Sequence, residues 1–325
     1  MDEPRQQQGE QDNMKSERLC NDRQQDDYPL DHHPRKNDPH DDRLVEAFKP
    51  GQQAMRLHPY YRGKIEVAPR CAVRGMDDFS IWYTPGVAEP CLAIRDDKEK
   101  VYDFTWKWNA VAVVSDGTRV LGLGDIGPEA ALPVMEGKAL LFKYLGGVDA
   151  VPICLGTKDP DEFIRTVKLL QPSFGGINLE DIAQPKCFRI LDTLRAEMEI
   201  PVWHDDQQGT ATVTLAGLLG ALQVTGRKLA DTRITLIGAG AASIACARLI
   251  LAAGADPELM MLCDSRGILN RDRTELAATH PEKWELAQKT NCEGRQGGIP
   301  EAMTGADVVI ALSKQGPGTI LPEWV

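Results

Sequence analysis

From residue 110 onward the chain alternates short β-branched runs with longer helical stretches, and this limits it to few folds. The runs 110–114, 150–154, 176–179 and 201–203 read as strands, and 129–144, 160–170, 186–198 and 209–223 read as helices. Strands separated by helices with short links favour a parallel sheet covered on both faces. A second unit opens near Gly226, with strands at 233–237, 259–263 and 307–312 and an Ala-rich helix ending near 253. Residues 1 to about 45 are dense in charged residues and Gln, with few large apolar ones, and read as a disordered tail.

Composition narrows the function classes. A formal net charge of −11 argues against nucleic-acid binding, which needs a basic face. Eight cysteines are scattered without C-x-x-C spacing, as in reduced cytoplasmic proteins. The N-terminus lacks an apolar signal segment, and the charge-poor stretches 209–226 and 234–247 read as buried core rather than membrane spans.

Two constellations carry chemistry. Gly238-Ala239-Gly240 lies between a strand and a helix, where glycine lets backbone N–H groups approach a pyrophosphate at the helix N-terminus. Ser243 takes the place of the third glycine, and Asp264 ends the next strand, where an acid can bond a ribose hydroxyl. Asp264 favours NAD, whereas Arg266 could accommodate the 2′-phosphate of NADP, so both stay open. The second constellation is acidic. Glu180-Asp181 and Asp205-Asp206 each follow a strand, and strand ends at one sheet edge converge on one crevice. Such carboxylates either hold a hard cation such as Mg²⁺ or Mn²⁺ or cap the helices that follow; the residues alone leave both open. Lys138, on a helix of mostly small and apolar residues, is a candidate base with a pKa lowered by burial, or a surface lysine. Tyr83 stands at a rigid turn before Pro85, as a proton donor or a buried tyrosine.

Four stretches together resemble the malic enzyme family in its compact bacterial and archaeal form. They are Tyr83-Thr84-Pro85-Gly86-Val87-Ala88; Leu121-Gly122-Leu123-Gly124-Asp125-Ile126-Gly127 with Glu136-Gly137-Lys138 behind it; Gly175-Gly176-Ile177-Asn178-Leu179-Glu180-Asp181; and His204-Asp205-Asp206-Gln207-Gln208-Gly209-Thr210-Ala211. The resemblance runs from about residue 58 to the end, with one departure at Gln208, where compact members usually carry His. It implies oxidative decarboxylation of malate to pyruvate and carbon dioxide, with NAD or NADP and Mg²⁺ or Mn²⁺. On it, Lys138 is the general base, Asp205 tunes its charge, and Glu180, Asp181 and Asp206 bind the metal. Tyr83 protonates C3 of enolpyruvate, and Arg119 matches a substrate-carboxylate arginine of larger members. Gly238, Ala239, Gly240, Ala241 and Ala242 contact the cofactor pyrophosphate, Asp264 its ribose, and Ser313 the nicotinamide side. A homo-oligomer, dimer or tetramer, in the cytoplasm is implied as well.

The fold expected is α/β: a parallel-sheet N-terminal catalytic domain over 46–225, followed by a Rossmann-like dinucleotide-binding domain over 226–325. Family members continue past the position of Val325, so the resemblance implies a C-terminally truncated chain with an incomplete Rossmann-like domain. A malolactic-type decarboxylase and a truncated, non-catalytic nucleotide-binding remnant are the alternatives.

Overall fold

A computed structural model describes residues 41–313 and 318–325. The chain divides into two units, Met1–Arg62 and Gly63–Val325. In the first, α1 (Asp41–Tyr61) is helical, with His58 Nδ1 2.8 Å from the Ala54 carbonyl. Residues 41–45, read above as tail, are helical. The remainder of that tail lies outside the described residues, as do positions 315–317 of the Gly/Pro-rich turn near the end of the chain.

The second unit begins with an extended stretch and three short helices, α2 (Phe79–Trp82), α3 (Ala88–Asp96) and α4 (Val101–Phe104). The alternating pattern then unfolds as β1 (Ala110–Ser115), α5 (Pro128–Gly146), β2 (Asp149–Cys154), α6 (Pro160–Leu170), β3 (Gly176–Leu179), α7 (Lys186–Glu197) and β4 (Val202–His204). These four strands form one all-parallel sheet in the order β2-β1-β3-β4. Every residue of β3, and every residue of β1 except Val111, is buried, which is why these strands read as continuous apolar runs rather than alternating ones. Asp205–Gly209 is a π-helical turn that leads into α8 (Thr210–Thr225).

A second sheet follows: β5 (Ile234–Ile237), α9 (Ala241–Ala252), β6 (Met260–Asp264), β7 (Gly267–Ile268), α10 (Leu276–Thr279), α11 (Pro281–Lys289), α12 (Ile299–Met303) and β8 (Val308–Ala311). Its order is β7-β6-β5-β8, parallel except for the β6–β7 pair. One apolar cluster runs through both sheets, from Val114 and Leu179 through Leu218 and Leu222 to Ile244 and Ile250. α9 packs directly on α8 and on the 205–209 turn.

The strand orders locate the sites. In the first sheet β1 has β2 on one side and β3 on the other, so the chain reverses its winding direction there; in the second, β5 stands between β6 and β8 in the same way. Helices diverge at such points and leave a crevice beyond the carboxyl ends of the strands, where open α/β sheets bind ligands. Among the described residues no helix is long and apolar enough to cross a membrane.

Candidate active site

At the carboxyl end of β3 the chain delivers Glu180 and Asp181, both 5% exposed. The turn after β4 delivers Asp205 and Asp206, because β3 and β4 run parallel in register, with Leu179 opposite His204. Ligand oxygens of Glu180, Asp181 and Asp206 lie within 4.8 Å of one another. Asp181 takes a left-handed backbone, φ 56°, at a cost on the order of 1 kcal/mol for a residue other than glycine. Its N–H donates to Asp206 Oδ2 at 3.0 Å, and its own Oδ2 is buried without a hydrogen-bond partner among the described residues.

Lys138 reaches this cluster from α5. Its Nζ stands 2.8 Å from Asp205 Oδ2 and 3.2 Å from Glu180 Oε1. Glu180 Oε2 accepts from Asn178 Nδ2 at 2.8 Å. Burial pushes Glu180 up to about 7 and Asp181 to about 6, and it raises Asp206 too. Three carboxylates crowd together against Lys138 and the charge of Arg119, and the Asp181 oxygen without a hydrogen-bond partner among the described residues faces the same cluster. An oxygen-only donor set of this kind fits a hard divalent cation. Helix capping does not account for these acids. The residue before α7 is Pro185, five positions after Glu180, and no side chain caps the 205–209 turn.

Lys138 differs from expectation in sign. Burial works to lower its pKa, but the hydrogen bond to Asp205 and the charge of Glu180 outweigh it, and the pKa is raised. The partner that reverses the direction comes from another strand end, so the local sequence of α5 could not reveal it. His204 beside these acids is fully buried, neither ring nitrogen has a hydrogen-bond partner among the described residues, and burial lowers its pKa to about 4.

Of the remaining candidates, Tyr83 makes no bond to this cluster among the described residues, whereas Arg119 adjoins it, its charge acting on Asp181 and Asp206. Tyr83, 71% exposed, follows α2, and among the described residues no hydrogen bond or ion pair joins it to Lys138 or the acids. Arg119 is exposed; its guanidinium donates to the Leu121 carbonyl at 3.1 Å and its backbone N–H to the Asp181 carbonyl at 3.0 Å.

Beyond β5, Gly238 has φ 108° and approaches β8 so closely that a Cβ would lie 2.4 Å from the Leu312 carbonyl oxygen. Ala239 is buried; Gly240 precedes α9, and Ala241 and Ala242 open it, half-buried. Ser313 is exposed just past β8. The α9 N-terminus thus stands where nucleotide phosphates bind in such sheets. Asp264 is not a free acceptor. Both its oxygens meet Arg273, at 2.9 and 3.0 Å, and Oδ2 also meets Lys283 at 3.1 Å. Burial works to raise its pKa, but these hydrogen bonds prevail and hold it at about 2. Arg273 and Lys283 thus bring two cations to this strand tip, with Glu275 3.6 Å from Arg273 Nε as a second carboxylate. Sequence reading missed both cations, nine and nineteen residues downstream, because Arg273 returns on an irregular turn and Lys283 on the nine-residue α11, neither of which shows a clear periodicity.

Two family models match the chain: the malic enzyme N-terminal domain over residues 62–195 and the malic enzyme NAD-binding domain over residues 207–314. The NAD-dependent malic enzyme of Geobacillus stearothermophilus is 53% identical over 254 residues, 78% of this chain and 52% of that protein. The bifunctional malic/malolactic enzyme of Bacillus subtilis is 49% identical over 265 residues, 82% of this chain and 64% of that one. The crystal structure of the NAD-dependent malic enzyme from Thermotoga maritima matches with a TM-score of 0.79 at 46% identity, over 83% of this chain and 71% of that one. The chain therefore spans 52% and 64% of the two curated relatives. With both family models matched in order along a chain of this fold, the chain belongs to the malic enzyme family.

Proposed function

We propose that the chain carries out oxidative decarboxylation of malate to pyruvate and carbon dioxide, reducing NAD or NADP. One observation carries this reading: an amine, Lys138, within 3.2 Å of two carboxylates, beside three carboxylates whose oxygens lie within 4.8 Å. Glu180, Asp181 and Asp206 would hold Mg²⁺ or Mn²⁺. Held there, such an ion would supply Lewis-acid stabilisation of negative charge developing on the substrate's oxygens. Lys138 Nζ would take the C2 hydroxyl proton, and a bound nicotinamide would supply the acceptor for the hydride leaving C2. In the structure Asp205 and Glu180 favour its protonated form; neutralising those carboxylates leaves burial, which lowers its pKa toward that of a base. Asp205 keeps the amine in place through its 2.8 Å contact. Tyr83 is assigned proton donation to C3, and Arg119 a substrate carboxylate, both on the family's motifs. The β5–α9 turn, with Gly238, Ala239, Gly240, Ala241 and Ala242, takes the pyrophosphate, Asp264 with its two cations faces the ribose, and Ser313 the nicotinamide.

A homo-oligomer belongs to this reading. Phe79, Ile81, Trp82, Tyr83, Leu92 and Trp106 are all exposed, more apolar surface than a monomer ordinarily presents along one segment. Light scattering giving a dimer or tetramer would support it, and a monomer at micromolar concentration would refute it.

The test of activity follows absorbance of the reduced nicotinamide with malate, Mn²⁺ and each nucleotide in turn. Pyruvate formed one for one with reduced cofactor is the expected result. Lactate without net reduced cofactor would favour the malolactic reading, which the name of the B. subtilis relative motivates. Nucleotide binding without turnover would make the chain a non-catalytic remnant.

A further inference from the structure

The turn that carries Asp181 is held by side chains that make no hydrogen bond or ion pair with Lys138, Glu180 or Asp206 among the described residues. Asp116, 1% exposed, directly follows β1. Its Oδ1 accepts from the Thr118 N–H at 3.1 Å and from the Thr118 hydroxyl at 2.5 Å. The Thr118 hydroxyl oxygen in turn accepts from the Ala183 N–H at 2.9 Å. Asp116 Oδ2 lies 2.5 Å from Lys186 Nζ, which also donates to the Lys158 carbonyl at 3.2 Å. A third stitch is the Arg119 N–H to the Asp181 carbonyl, at 3.0 Å.

Segments 116–119 and 181–186 are thus joined at three points, and Asp181 lies at the edge of the joined region with its left-handed backbone. On its other side it is bonded to Asp206. A strained backbone persists only where its surroundings over-determine it. Thr118 is the hinge of the arrangement, because one oxygen both donates to the buried Asp116 and accepts from Ala183. Without that hydroxyl, Ala183 N–H loses its acceptor and residue 181 is free to relax to negative φ, which swings its carboxylate away from its neighbours.

We propose that Thr118 and Asp116 are positioning residues of the carboxylate centre, keeping Asp181 converged with Glu180 and Asp206 on a divalent cation. This rests on the metal reading above. The experiment measures Mn²⁺ dissociation constants by electron paramagnetic resonance on the full chain, for wild type, Thr118→Val and Thr118→Ser, with metal-free melting temperatures alongside. Valine keeps the shape and removes the hydroxyl, so Mn²⁺ binding should weaken about tenfold, the equivalent of one hydrogen bond of about 1.4 kcal/mol. Serine restores the hydroxyl and should bind within about threefold of wild type. Valine with wild-type Mn²⁺ affinity would overturn the proposal, as would serine binding no better than valine. If Thr118→Val fails to fold, Asp116→Asn serves instead: it keeps an acceptor for Thr118 and removes the charge facing Lys186. It should weaken Mn²⁺ binding severalfold, and unchanged affinity would overturn the proposal. A wild-type chain that does not bind Mn²⁺ would overturn the metal reading and this one with it.

Discussion

Two glycines two residues apart separate packing from ligand binding. At Gly238, φ is 108° and a Cβ would sit 2.4 Å from the Leu312 oxygen and 2.9 Å from its carbonyl carbon. Neither neighbour can yield easily. The Gly238 N–H is bonded to the Cys263 carbonyl at 2.7 Å, and the Leu312 N–H to the Ile237 carbonyl at 2.8 Å. Gly238→Ala therefore carries a backbone cost of about 1–2 kcal/mol and an overpacking cost of about 1–3 kcal/mol. In a unit of this size each kcal/mol lowers the melting temperature by about 2–4 °C, so a fall of roughly 10 °C is expected. At Gly240 a Cβ meets nothing within 4 Å. Gly240→Ala, at the residue before α9, should cost about 1 kcal/mol. Its added methyl stands where the backbone would approach the pyrophosphate, so NAD or NADP affinity should fall at least tenfold while the fold survives, the equivalent of about 1.4 kcal/mol. Calorimetric melting and nucleotide titration by protein fluorescence read the two effects. A Gly238→Ala chain melting within about 2 °C of wild type would refute the packing argument. A Gly240→Ala chain with wild-type nucleotide affinity would refute placement of the phosphates at α9.

Lys138→Ala should abolish formation of reduced nicotinamide while Mn²⁺ binding persists; turnover within tenfold of wild type would remove Lys138 as the base. Stability of the metal-free chain should depend on pH with a definite sign. Burial raises the folded-state values of Glu180 to about 7 and Asp181 to about 6, so the folded state holds protons more tightly than the unfolded one; the associated stability is present at low pH and is lost as pH rises through about 6 to 7. Melting temperatures at a series of pH values, with and without saturating Mn²⁺, would test this: the loss should vanish with the ion, and a metal-independent profile would contradict it. Lys283→Met removes one of two cations beside Asp264 and should shift the ratio of NADP to NAD affinity toward NAD; an unchanged ratio would show that Lys283 does not face the 2′ position.

The strands and long helices were legible because parallel strands buried on both faces must be apolar throughout. α6 falls on 160–170 as read, helped by Asp159, whose side chain accepts from two N–H groups at its start. What escaped was short or locally braced. β7 is a two-residue antiparallel ladder, below the length at which alternation shows. The stretch before β1 folds into three short helices of four to nine residues, with turns pinned by single side chains, as Asp97 accepts from the Glu99 N–H. The run 209–223 reads as one helix, yet the turn before it, Asp205–Gly209, is π-helical, a widening that local propensity does not encode. At the site, the acidic pairs were legible as strand ends. Asp116 was not: it stands in an ordinary Asp-Gly turn, and its meaning comes from Thr118 and Lys186 across the crevice.

The π-turn has a consequence that joins the two sheets. It carries Asp205 and Asp206, and it packs against α9, whose first residues are the ones proposed to take the pyrophosphate. Gly209 permits this: a Cβ there would lie 2.3 Å from Asp205 Oδ1, so a side chain would push Asp205 off Lys138. Behind the turn, Ala211, Leu218 and Leu222 of α8 are packed with Ile244, Ala247 and Ile250 of α9 in one buried cluster. Packed cores respond to strain by discrete shifts rather than smooth yielding. A displacement of α9 would therefore press on the turn that bears Asp205 and Asp206 and, through the 2.8 Å contact of Asp205, on Lys138.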